Sequence, residues 1–168
     1  MKVLGHVHTY NDEEVVDDVI RALSAQSYPL AEIILVDNAS TDETLDRVFP
    51  ENVTVIRHPE NRGTNGSVIT GFSHAIEQDY DWIYILDADS LPAEDAVEKL
   101  VRLYERFPSN FQQQILWLGS LPRERDDTVH HGCVFTEAGV QMVKPDHDRF
   151  TTRYQRLFSA IWSQGSLV

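Results

Sequence analysis

The sequence predicts an α/β fold, a three-layer α/β/α sandwich around a mostly parallel central sheet. Two observations predict it. Over the first two-thirds of the 168 residues, strand-like and helix-like segments alternate, giving four β–α units in a row. Such units lay parallel strands side by side with helices on both faces. The run Ile33-Ile34-Leu35-Val36 is apolar without alternation, as expected for a central parallel strand covered on both sides.

Lys2 to His8 reads as the first strand. Glu13 to Gln26 reads as a helix, because Val15, Val16, Val19, Ile20 and Leu23 recur on one face. Asn11 or Asp12 can cap it, and Tyr28-Pro29 ends it because proline cannot continue a helix. Glu32 to Val36 is the second strand. Ser40-Thr41-Asp42-Glu43 has capping-box spacing and opens a short second helix. Val53 to Arg57 is the third strand, and Val68, Ile69, Phe72, Ala75 and Ile76 form the apolar stripe of a third helix. Trp82 to Leu86 is the fourth strand. Ser90 or Leu91 precedes Pro92 at the next helix start, with Ala96, Val97, Leu100, Val101 and Tyr104 on the buried face. After Phe107-Pro108 the pattern is mixed. Gln114 to Leu118, His131 to Thr136 and Ser159 to Val168 read as strands, and Asp146 and Asp148 fall in a loop.

The balance of 27 acidic against 14 basic residues, net charge -13, disfavours nucleic-acid binding, since such a surface repels phosphate backbones. Cys133 is the single cysteine, which excludes an internal disulfide and a cysteine-based zinc site. No apolar run approaches the roughly 18 residues needed to span a bilayer. The N-terminus lacks the pattern of a signal peptide, so a cytoplasmic location is the default expectation.

Ligands bind open parallel sheets at the carboxyl ends of the strands. After the first strand come Thr9, Tyr10, Asn11 and Asp12; after the second, Asp37 and Asn38. After the third come Asn61, Arg62 and Gly63; after the fourth, Asp87, Ala88, Asp89 and Ser90. Carboxylates gathered at one edge repel one another unless a cation offsets them. Hard oxygen donors favour Mg2+ or Mn2+, which take a few carboxylates together with substrate phosphates. No G-x-G-x-x-G or G-x-x-x-x-G-K-[ST] phosphate loop is present. Gly63-Thr64-Asn65-Gly66 is a shorter turn that can bring backbone close to a ligand.

Four segments in order carry a family resemblance: His8-Thr9-Tyr10-Asn11-Asp12-Glu13, Ile34 through Asp42 (I-L-V-D-N-A-S-T-D), Glu60-Asn61-Arg62-Gly63, and Ile85-Leu86-Asp87-Ala88-Asp89-Ser90. The chain resembles family 2 glycosyltransferases of the GT-A fold, inverting enzymes that use nucleotide-diphospho-sugars. The resemblance covers roughly residues 2 to 106. It implies that Thr9 and Tyr10 line a base pocket, that Asp12 or Glu13 contacts the nucleoside, and that Asp37 accepts a hydrogen bond from a pyrimidine. It places Asp87 near the ribose and metal, and gives Asp89 the metal, Mg2+ or Mn2+, that bridges the two phosphates. Asn38, Asn61, Arg62 and Gly63 join the nucleotide contacts. The donor expected is UDP- or dTDP-linked and the acceptor a saccharide or a lipid-linked group. In this frame residues 1–168 form a single domain, with 1–106 the nucleotide-sugar half and 107–168 the start of an acceptor-side half.

The family's catalytic base is a carboxylate that follows an acceptor strand. Trp162 to Val168 resembles that strand, so the base is expected beyond Val168, and Asp146 and Asp148 do not match its motif. The alternatives are a donor-binding module without transfer activity and a sugar nucleotidyltransferase. The latter expects a Gly-rich, Arg-containing loop after the first strand, which Thr9 to Glu13 lacks. His6 and His8 share a strand face but have no third partner at zinc spacing, so they read as structural. His58 and His74 read as surface or helix-face residues, and Trp82, Trp117 and Trp162 as core.

Overall fold

Alternation along the strands sorts the side chains into two layers. In the computed structural model, which describes residues 1–112 together with short strands at 118–119, 132–136, 139–143 and 166–167, β1 spans Val3–Thr9 and β2 Glu32–Asp37. β3 spans Val53–Arg57 and β4 Trp82–Asp87. These four are parallel and lie in the order β3-β2-β1-β4, so the N-terminal strand is central. Beyond β4, the register pairs Tyr84 with Leu167 of an antiparallel strand at 166–167, which in turn pairs with 118–119. Gly132–Thr136 and Gly139–Val143 form a separate hairpin; the second of these strands was not anticipated from sequence. The loop at Asp146 and Asp148, the side chain of Cys133, and Trp117, Trp162, His130 and His131 lie outside the described residues.

Odd-numbered positions of β1 and β2 and even-numbered positions of β4 face one side. Val3, Val7, Ile33, Leu35, Trp82, Tyr84 and Leu86 pack there against α1 (Val16–Ser24) and α3 (Ala96–Glu105). Trp82 meets Tyr104 edge-to-face at 5.0 Å between ring centroids, a favourable aromatic geometry. The alternate positions face α2 (Gly63–Glu77), where Leu4, Ile34, Val36 and Ile83 enclose Ala75. A short α4 (Ser109–Gln112) follows α3. The three layers are those expected, and no described helix is long and apolar enough to cross a membrane.

Four local expectations are corrected. The first helix begins at Val16, with Val15 at the cap and no side-chain cap. Neither Asn11 nor Asp12 caps it by side chain, because both are drawn into contacts with their own or the neighbouring loop; only the backbone carbonyl of Asp12 serves, accepting from the N–H groups of Val15 and Val16. The short second helix is a single 3-10 turn, Glu43–Leu45, capped by Asp42 rather than Ser40. Ser90 does not cap α3, which starts six residues later at Ala96.

The α2 stripe also differs. Its buried residues are Gly66, Ser67, Gly71 and Ala75, while Ile69 and Ile76 are 60% and 78% exposed. The cause lies beneath the helix. His6 of β1 is fully buried, and its Nε2–H donates to the Ser67 carbonyl at 3.1 Å. A Cβ at position 71 would lie 2.3 Å from His6 Cδ2. Only a helix with small residues on this face can come that close to the ring, and the larger apolar side chains turn outward.

Candidate functional site

The carboxyl ends of β1, β2 and β4 and the start of α2 surround one cavity of about 390 Å³. Its wall comprises His8, Thr9, Tyr10, Asp12, Asn38, Asn61, Gly63, Thr64, Asp87, Ala88 and Asp89. Of the residues expected from sequence, Thr9, Tyr10, Asp12, Asn38, Asn61, Gly63, Asp87 and Asp89 are brought together here. Asp37, Arg62 and Glu13 are not on the wall. Ala88, expected at this edge after the fourth strand, and Thr64, of the turn expected to approach a ligand, are also on it, as is His8, which the sequence read as structural.

The loops after β1 and β2 hold each other. Asn11, in the left-handed region at φ 58, donates its N–H to Ser40 Oγ at 2.9 Å and accepts the Thr41 N–H at 2.8 Å. Glu13 N–H donates to Asp42, and Glu43 N–H donates back to Glu13. Ala39 takes φ 66 to make this turn, which costs a non-glycine residue about 1–2 kcal/mol. Asp12 folds over its own loop, accepting the Thr9 hydroxyl at 2.8 Å and the Tyr10 N–H at 2.9 Å. Much of the motif thus builds the rim. Tyr10 is 46% exposed at that rim and lines the cavity.

Asp37 is wholly buried behind this rim. It accepts the Ser40 N–H and sits 3.2 Å from Arg57 Nε, while Arg57 Nη2–H donates to the Ser40 carbonyl. A buried carboxylate needs such a partner, because an unpaired charge there is strongly unfavourable. In this arrangement Asp37 is not part of the cavity wall.

Below Asn38 lies a second polar chain. Asn38 Oδ1 accepts from the Arg62 N–H at 2.8 Å and from His58 Nδ1–H at 3.1 Å, and Asn38 Nδ2–H donates to Asn61 Oδ1 at 2.9 Å. Asn61 Oδ1 also accepts the Gly63 N–H at 2.8 Å. His58 is therefore buried, not at the surface as expected. Burial, and then the nearby Arg62 charge, holds its pKa below the usual histidine value. The ring is neutral at pH 7, so Nε2 accepts the Thr70 hydroxyl 2.8 Å away. These bonds fix the entry of α2, where Gly63 takes φ 68. The helix N-terminus, which carries positive potential from the aligned peptide dipoles, borders the cavity through Gly63 and Thr64.

The opposite sign comes from β4. Asp87 ends that strand and Asp89 follows in the exposed turn. Neither caps α3. Among the described residues there is no group of three or more His, Cys, Asp and Glu placed to hold a metal ion. Among the described residues the site therefore offers too few grouped ligands for an all-protein cage. It does suit Mg2+ or Mn2+, which retain water and substrate phosphate ligands.

A family model described as glycosyl transferase family 2 matches residues 6–157. The chain belongs to that family. Within it, the chain is 29% identical over 121 residues to an uncharacterised protein of Methanocaldococcus jannaschii, covering 72% of this chain and 47% of the relative. It is 29% identical over 114 residues to a UDP-N-acetylglucosamine–dolichyl-phosphate N-acetylglucosaminyltransferase of Methanococcus voltae, covering 57% and 44%. Among solved structures, a mannosyltransferase of Pyrobaculum calidifontis in complex with GDP-Man and Mn2+ superposes with a TM-score of 0.59 at 28% identity, covering 75% of this chain and 36% of that one. The chain thus spans about half the length, or less, of these family members. The fold shared with the mannosyltransferase agrees with the GT-A architecture anticipated from the motifs.

Proposed function

We propose that the cavity binds a nucleotide-diphospho-sugar together with one divalent cation, Mg2+ or Mn2+, and that the whole protein transfers the sugar to an acceptor hydroxyl with inversion. The observation that carries this reading is the meeting of Asp87 and Asp89 with the N-terminus of α2 in one cavity. Two carboxylates attract a cation, and a helix N-terminus attracts a phosphate. A diphosphate with a bound cation satisfies both. The presence of GDP-Man and Mn2+ in the Pyrobaculum mannosyltransferase supports the same assignment.

In this reading Asp89 holds the cation and Asp87 lies between cation and ribose. Thr9 and Tyr10 take the base, with Tyr10 offering its ring face. Asn38 and Asn61 are held in place by His58, Arg62 N–H and Gly63 N–H, and they line the nucleotide side. Arg62 itself is exposed beside the entry. The cation, when bound, supplies Lewis-acid stabilisation of the leaving diphosphate. Residues 1–106 then form the donor half and 107–168 part of the acceptor side.

Calorimetry with UDP and GDP, in Mn2+ and in chelator, tests the reading. Nucleotide binding is expected to need Mn2+ and to be lost in Asp89→Ala. Equal affinity in chelator, or an Asp89→Ala variant that binds as well as the native chain, would overturn it.

A further inference from the structure

Every assignment so far leaves His8 unexplained. It ends β1 directly opposite Asp87, its register partner on β4, and both side chains project to the α2 face. His8 Nε2 lies 2.7 Å from Asp87 Oδ1. The His8 side chain is only 16% exposed, against 45% for Asp87, so the ring forms the inner wall and the carboxylate stands toward the opening. The ring's other nitrogen, Nδ1, is buried and without a hydrogen-bond partner among the described residues. This fixes the proton on Nε2. A proton on Nδ1 would leave a buried donor unsatisfied and turn a lone pair toward a carboxylate. His6, on the same strand face, packs beside it with the ring centroids 5.9 Å apart.

From this geometry we infer that His8 is a positioning residue for Asp87, its Nε2–H holding one carboxylate oxygen so that the carboxylate meets the cation and diphosphate in a fixed orientation. The inference rests on the cation reading above. Groups that hydrogen-bond a metal-ligating side chain fix its orientation, and their loss typically costs about 10–100-fold in metal affinity or activity.

The test uses the reach of side-chain amides. The Nε2 of Gln can occupy the place of His Nε2, whereas the Nδ2 of Asn falls short by about one bond. Affinities of UDP and GDP in saturating Mn2+ are measured by calorimetry on the full chain for His8→Gln, His8→Asn and His8→Phe, with thermal unfolding in parallel. Expected are nucleotide affinities about 10-fold weaker than native in His8→Asn and His8→Phe, and within about 2-fold of native in His8→Gln. Should the aromatic variant fail to fold, the comparison of Gln with Asn decides alone. Equal affinities for Gln and Asn variants, or affinity losses that track unfolding temperature across all three, overturn the role of His8. The two levels separate through Asp89→Asn. If that variant and chelator leave native binding intact, or if the native chain binds neither nucleotide, the cation reading falls and His8 with it. If both abolish binding while His8→Asn binds as tightly as native, only the His8 inference falls.

Discussion

Gly71→Ala is expected to destabilise the protein by about 2 kcal/mol, although alanine is the better helix former. In an unhindered helix interior the change would gain about 1 kcal/mol. Here the new methyl would lie 2.3 Å from His6 Cδ2, 2.9 Å from His6 Nε2 and 3.1 Å from Ile83 Cδ1. Carbon contacts settle near 3.5–4.0 Å, so ring and helix must part by roughly an ångström. The ring cannot swing aside, because it sits on a central strand and is tied to the Ser67 carbonyl one turn earlier in the same helix. Overpacking of this kind costs about 1–3 kcal/mol, and loss of the His6–Ser67 bond adds about 0.5–1.5 kcal/mol. In a His6→Ala background the obstruction is gone and the sign should reverse, with Gly71→Ala now stabilising by about 0.5 kcal/mol. Urea denaturation of the four proteins of this cycle gives the coupling directly. A Gly71→Ala protein as stable as native, or the same penalty in both backgrounds, would show that His6 does not set the height of α2.

Two further outcomes follow from buried charge. Burial lowers the His6 pKa from 6.5 to about 4. Above pH 6.5 the ring is neutral folded or unfolded; as pH falls below 6.5 the unfolded chain takes up a proton that the folded chain refuses, so stability drops by up to about 3 kcal/mol by pH 4. Urea midpoints between pH 7 and pH 4 should therefore fall less steeply in His6→Gln than in native protein, and parallel slopes would count against this. Asp37→Ala leaves the Ser40 N–H without its acceptor and should cost about 1–3 kcal/mol of stability in the absence of any nucleotide. An unchanged unfolding midpoint would mean that Asp37 does not support the rim.

The four parallel strands and the residues at their ends were legible because each strand is a short apolar run closed by polar residues, and parallel order dictates which edge those residues reach. Most of the cavity wall followed from that rule, though Asp37, Arg62 and Glu13 did not reach it. What pattern could not supply was the order of approach between elements. Ile69 and Ile76 look like a buried stripe by period, yet Ser67, Gly71 and Ala75, also one turn apart, are the face that meets the sheet. The decisive neighbour, His6, lies more than sixty residues away in sequence. His8 was hidden for the same reason: its partner Asp87 is adjacent only through the β1–β4 register. Asp37 was singled out by its place after an apolar strand, but its ion-pair partner Arg57 comes from the neighbouring strand. His58 looked superficial because its partners Asn38 and Thr70 flank it at long range on either side.

The reciprocal bonding between the loops after β1 and β2 bears on how specificity could be transplanted between family members. Asn11 and Glu13 on one loop are matched by Ser40, Thr41, Asp42 and Glu43 on the other, with backbone and side chain alternating as donor and acceptor. A chimera that imports residues 9–13 alone leaves these donors and acceptors facing strangers, and the host rim loses its shape before any new preference can be read. Residues 9–13 and 38–44 are in effect one inheritable cassette written in two places.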